Sequence, residues 1–186
     1  MKFLDKAAAL DALRQVGATL RDRAVKGPIR LVIAGSAAGI LGGFLPPSRT
    51  TGDCDVLWIP DDPIWKEVAA AAQVVGQTLN LPESWLNRNS TMYAWGLPLG
   101  WRERCESVGT FGPLEIVRLS RRDLIAAKVV SSPRRPHDVQ DLRDMRPTSE
   151  ELDFAAENLD RLAAEHLDRY EFEDERATLE SLRQSP

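Results

Sequence analysis

Ile29-Arg30-Leu31-Val32-Ile33-Ala34-Gly35-Ser36 is the stretch from which the rest of the chain is read. Six mostly apolar residues, rich in β-branched side chains and set between Pro28 and Gly35, fit a buried strand. The Gly-Ser step follows, and the small apolar run from Ala37 to Phe44 reads as a short buried helix. A loop comes next, Pro46-Pro47-Ser48-Arg49-Thr50-Thr51-Gly52. Asp53-Cys54-Asp55-Val56-Leu57-Trp58-Ile59 then alternates before turning apolar, as a second strand does.

This order of elements has a chemical meaning. Alternate residues of a strand share a face, so Asp53 and Asp55 would stand side by side while Cys54 points into the core. Two neighbouring carboxylates repel unless a cation neutralises them, and hard oxygen donors suit Mg²⁺, which keeps waters and accepts phosphate oxygens at its remaining positions. A Gly-Ser step opening a helix turns backbone N–H groups toward an anion, and glycine permits close approach. Phosphates beside a metal-holding acid pair describe a site for nucleotidyl transfer. An Asp-x-Asp by itself carries little; the succession of strand, Gly35-Ser36, helix, loop with Arg49, and acid-bearing strand carries the reading.

Working outward, Leu4, Ala8, Leu10, Leu13, Val16 and Leu20 recur near helical spacing and predict an amphipathic helix from Phe3 to about Arg23, ended by Lys26-Gly27-Pro28. A helix is expected from about Ile64 to Leu79, and short helices with a turn between Leu81 and Arg104. Ser107 to Thr110 and Leu114 to Leu119 read as strands around the Phe111-Gly112-Pro113 turn. Ser120 with Asp123 opens a helix through Leu124, Ala127, Lys128 and Val130, and Asp138 to Met145 forms another. Thr148-Ser149-Glu150-Glu151 is a capping box, with acidic helices expected over about 149–167 and 172–184. The expected fold is α/β (α+β): a small mixed sheet flanked by helices, spanning 1–147, and a helical acidic segment over 148–186.

Charge follows the same division. The 186 residues hold 24 basic and 28 acidic side chains, a formal −4. From Thr148 onward stand 12 acids and 4 bases, a local −8, which leaves +4 on residues 1–147. No apolar run reaches the ~20 residues of a membrane span, and the N-terminus lacks a signal-peptide pattern, so a cytoplasmic location is expected. Two cysteines, Cys54 and Cys105, and two histidines, His137 and His166, exclude a disulfide framework, a structural zinc cluster and a Ser-His-Asp triad as economical readings. Chemistry is left to carboxylates and cations.

Val32-Ile33-Ala34-Gly35-Ser36 with Arg49-Thr50-Thr51-Gly52-Asp53-Cys54-Asp55-Val56 resembles the signature of the DNA polymerase β-like nucleotidyltransferase superfamily. The nearer likeness is to small bacterial nucleotidyltransferases of the DUF6036 and abortive-infection toxin type. A second block supports it: Leu119-Ser120-Arg121-Arg122-Asp123-Leu124-Ile125-Ala126-Ala127-Lys128, then Arg134-Arg135-Pro136-His137-Asp138-Val139-Gln140-Asp141-Leu142. The Trp85-Leu86-Asn87 segment is also similar to these relatives. The resemblance covers about residues 29–145. The 16 residues between Ser36 and Asp53 exceed the usual gap, which points to an insertion near Gly43–Pro47.

The resemblance implies a nucleotidyltransferase fold and transfer of a nucleoside monophosphate from an NTP to a hydroxyl on RNA, protein or a small molecule, in a toxin–antitoxin or phage-defence setting. Asp53, Asp55 and Glu115, the last as third carboxylate, would hold Mg²⁺ or Mn²⁺. Gly35, Ser36, Arg49, Lys128 and Asp138 would meet the nucleotide, with Lys128 at a phosphate or supporting the carboxylates. Asp138 and Asp141, three apart on one helix face, would pair with Lys128 or Arg135 and fix it; the alternative is a solvated acidic face with Asp138 as N-cap. A rival expectation is a catalytically inactive binding or adaptor protein, antitoxin-like, whose acidic helices meet a basic protein partner. Convergence of Asp53, Asp55 and Glu115 discriminates between the two.

Overall fold

The computed structural model describes residues 3–57, 62–165 and 172–184. Five strands form one mixed sheet in the order β3-β2-β1-β5-β4, and the described residues add seven α-helices and one 3-10 segment. The fold is therefore α+β, as expected. Within the chain two compact units are distinguished: Met1–Ala94 with Cys105–Leu119, and Trp95–Arg104 with Ser120–Pro186. The boundary expected near Pro147 falls inside the second of these, because α6 (Ser149–Glu165) packs on α4 (Arg121–Ser131).

The first unit holds the whole sheet. Strand β1 (Ile29–Ala34) occupies the residues assigned to it from sequence. It pairs antiparallel with β2 (Cys54–Val56) and parallel with β5 (Leu114–Arg118). The two-residue β3 (Leu86–Asn87) runs parallel to β2, and β4 (Glu106–Phe111) closes the other edge antiparallel to β5. The expected extension of the second strand into Trp58 and Ile59 lies outside the described residues.

Register sorts the side chains into two faces. Ile29, Leu31, Ile33, Cys54, Val56, Leu114 and Ile116 share one face and are at most 2% exposed. Helices α1 (Lys6–Asp22), α2 (Gly35–Gly42) and α3 (Asp62–Leu79) pack around it. Asp5 caps α1 by accepting from Ala8 N at 2.8 Å. At Gly17 the helix lies so close to the β4–β5 hairpin that a β-carbon would stand 2.1 Å from Phe111 O, which explains a glycine inside a helix where alanine is otherwise favoured. Trp85 is fully buried and donates its indole N–H to Ala72 O at 2.8 Å, which ties β3 to α3. The described tryptophans thus include a core residue here and another at Trp101, 5% exposed in the second unit.

In the second unit, Ser120 accepts from Asp123 N at 3.3 Å and starts α4. Arg104 binds the buried Asp123 through Nε and Nη2. Helix α5 (Pro136–Met145) begins two residues earlier than the sequence suggested, with Pro136 at its first turn, where a missing N–H costs nothing. The capping box forms as read: Thr148 N donates to Glu151 Oε2 at 2.9 Å, and Glu151 N to Thr148 Oγ1 at 3.2 Å. Helix α6 is followed to Glu165, the expected end at 167 lying outside the described residues, and α7 spans Glu173–Arg183.

Candidate nucleotide and metal site

The junction of β1 and α2 is the centre of the candidate site. Ala34 is extended, and Gly35 then turns at φ +60°, a conformation that L side chains rarely adopt. Antiparallel pairing sets Asp55 directly opposite Ala34. The Asp55 carboxylate leans over the turn: a β-carbon on Gly35 would stand 2.9 Å from Oδ2. Asp55 is 6% exposed, while Gly35 and Ser36 are half-buried. The turn, the start of α2 and the acid are therefore brought together as expected. A carboxylate at this end of a helix also gains from the peptide dipoles.

Asp53 immediately precedes β2 and stands two residues before Asp55. Its Oδ1 accepts from Thr51 Oγ1 at 3.1 Å. Cys54 between them is fully buried on the opposite face. Burial pushes its thiol well above the usual range, and the charges of Asp53 and Asp55 push it further. Both effects oppose a thiolate, so Cys54 supplies no nucleophile.

Glu115 does not complete the set, and the register gives the reason. Arg30 pairs with Glu115 across β1 and β5, and Ala34 pairs with Asp55 across β1 and β2. The same face is shared, but four residues of β1 separate the two levels, about 13 Å along the strand. Reaching the level of Ala34 on the β5 side leads to Leu119, whose N–H donates to Ile33 O. Among the described residues no group of three His, Cys, Asp or Glu side chains comes together to hold a metal. The assignment of Glu115 as third carboxylate is thereby corrected.

Arg49 is half-buried and its Nη1 donates to Thr50 O at 3.3 Å. Its loop is fastened elsewhere: Leu4 N donates to Thr51 O at 2.8 Å, and Thr51 N to Leu4 O at 3.0 Å. Sequence reading passed over this bridge, since it joins residues 47 apart and leaves no local pattern. Asn87 was also passed over as a neighbour of the acids. It pairs with Asp55 across β2 and β3 and is 8% exposed. Its Nδ2 donates to Ser84 O at 3.2 Å, and its Oδ1 accepts from Asn89 N at 2.8 Å, so it also shapes the turn into the 3-10 segment Asn89–Gly96.

Lys128 and Asp138 belong to the second unit. Lys128 is 2% exposed, and its Nζ donates to Asp138 Oδ1 at 2.5 Å and Asp141 Oδ2 at 2.8 Å. Ser131 Oγ donates to Asp138 Oδ2 at 2.7 Å. The ammonium is thus enclosed between two carboxylates and joins α4 to α5. Pairing with Lys128 is as expected from sequence, and the alternative of a solvated acidic face is not met, since Asp138 and Asp141 are 3% and 0% exposed. Enclosure of this kind gives Lys128 and Asp138 a structural role.

The donor set can be tested against the implied cation. Asp55 beside the glycine turn, with Asp53 two residues before it, fits it as a hard oxygen donor set, and Glu115 does not. No helix of the described residues is long and apolar enough to cross a membrane. Comparison of the chain with protein-family models, curated proteins and solved structures finds no match.

Proposed function

We propose that the chain is a metal-dependent nucleotidyltransferase that moves a nucleoside monophosphate from an NTP to a hydroxyl acceptor. The observation that carries this reading is the seating of Asp55 over the Gly35 turn at the start of α2, with Asp53 two residues before it in the chain. Asp53 and Asp55 would hold Mg²⁺ or Mn²⁺, which supplies charge neutralisation at the phosphates and activation of a hydroxyl when bound. Gly35 and Ser36 present the start of α2 to the phosphate tail. Arg49, on the loop that ends at Asp53, suits a phosphate as a planar two-pronged donor. The acceptor would be RNA, protein or a small molecule, and the setting would be a cytoplasmic toxin–antitoxin or phage-defence system, as the resemblance implies.

A second reading is favoured by the position of Glu115. With two carboxylates and, among the described residues, no third that joins them, a nucleotide-binding or adaptor protein that has lost catalysis accounts for the same turn and acid pair. Its acidic C-terminal helices would then meet a basic partner. Incubation with labelled nucleoside triphosphates, Mg²⁺ and total RNA or cell lysate separates the two. Transfer by the native chain and its loss in Asp53→Ala/Asp55→Ala supports the enzyme. Transfer that survives the double substitution overturns the site, and nucleotide binding that needs Mg²⁺ without any transfer selects the binding protein.

A further inference from the structure

We infer that Thr51 is a positioning residue for the acid pair, using its side chain on Asp53 and its backbone on the N-terminal segment. The inference rests on the reading of Asp53 and Asp55 as cation ligands. Thr51 makes three bonds at once. Its hydroxyl donates to Asp53 Oδ1 at 3.1 Å, its carbonyl accepts from Leu4 N, and its N–H donates to Leu4 O. Leu4 itself is fully buried, and Asp5 beside it caps α1. The pair of hydrogen bonds with Leu4 makes Thr51 a fixed point, and the hydroxyl passes that fixity to Asp53.

The consequence for a cation is direct. The orientation of a carboxylate is set by the partners of its oxygens and not by backbone pairing. A hydroxyl on Oδ1 selects one orientation and thereby sets where Oδ2 is presented. Partners of this kind around a ligating carboxylate typically change metal affinity by about 10-fold or more when removed. Valine has the shape of threonine without the hydroxyl, and leaves the backbone bonds to Leu4 in place. Serine keeps the hydroxyl and loses only the methyl group.

The experiment measures Mn²⁺ binding to the full chain from the electron paramagnetic resonance signal of the free ion. The specific site is the part abolished by Asp53→Asn/Asp55→Asn. Thr51→Val is expected to weaken that site by about 10-fold while Thr51→Ser stays near the native affinity, with thermal unfolding of both variants close to native. Equal affinity in Thr51→Val and the native chain, with binding still lost in the double Asn variant, overturns the role of Thr51 and leaves the acid pair standing. Equal weakening in Thr51→Val and Thr51→Ser also overturns it, since the hydroxyl is then immaterial. Native binding that is unchanged in Asp53→Asn/Asp55→Asn removes the acid-pair reading itself, and this inference with it.

Discussion

Asp55 Oδ2 lies against the Cα of Gly35, close enough that a β-carbon there would meet it at 2.9 Å. The backbone at φ +60° disfavours any side chain at this position, and a β-carbon would also push the Asp55 carboxylate aside. A change at Gly35 is therefore felt at Asp55.

Gly35→Ala follows as the first prediction. A left-handed conformation costs a non-glycine residue about 1–3 kcal/mol, and the carboxylate must also be displaced. The variant should lose stability by about that amount in urea denaturation, and should lose Mn²⁺ binding beyond what the stability loss explains. Native stability together with native Mn²⁺ binding would show that the turn and the acid are not coupled.

Glu175 on α7 gives a pH prediction of opposite sense to an ordinary ion pair. Burial holds its carboxyl above the usual range, the charge of Asp174 adds to this, and its own backbone bond and Arg134 act against it. A carboxyl whose folded pKa is raised favours the folded state while protonated, and that preference is lost as pH rises through the folded value. Glu175→Gln should then match the native chain in acid, where both side chains are neutral, and gain in relative melting temperature toward neutral pH. The side chain is half-buried, so the gain is small. A variant that falls progressively below the native chain as pH rises would contradict the sign.

The opposite faces of Cys54 and Asp55 were legible in the sequence and the level of Glu115 was not, for a single physical reason. Alternation along a strand is local, so neighbouring residues of β2 sort into faces by counting. The level of one strand against another is set by nonlocal pairing, and only the register of β1 with β5 shows Glu115 to be about 13 Å away along the strand. The same contrast runs through the fold. Residues Ile29–Ala34, the cap at Ser120 and the box at Thr148 and Glu151 all announce themselves within a few positions. The two-residue β3 and the Leu4–Thr51 bridge do not, since each is held by distant backbone partners.

Lys128 carries the last prediction. Helical spacing showed that Asp138 and Asp141 share a face, and the structure adds that all three groups are buried, with the ammonium as the bridge. Removing one member of a buried ionic cluster costs about 3–5 kcal/mol, because the charges left behind lose their compensation. Lys128→Met should lower the stability of the helical signal in urea by that order. Replacing the whole cluster, Lys128→Met with Asp138→Asn and Asp141→Asn, should recover much of the loss, since burying ions confers little net stability over neutral groups of similar size. The comparison separates a structural lysine from a ligand. A nucleotide ligand would leave stability nearly unchanged on substitution, and a loss below about 1 kcal/mol for Lys128→Met, the range of an exposed pair, would return Lys128 to the candidate site.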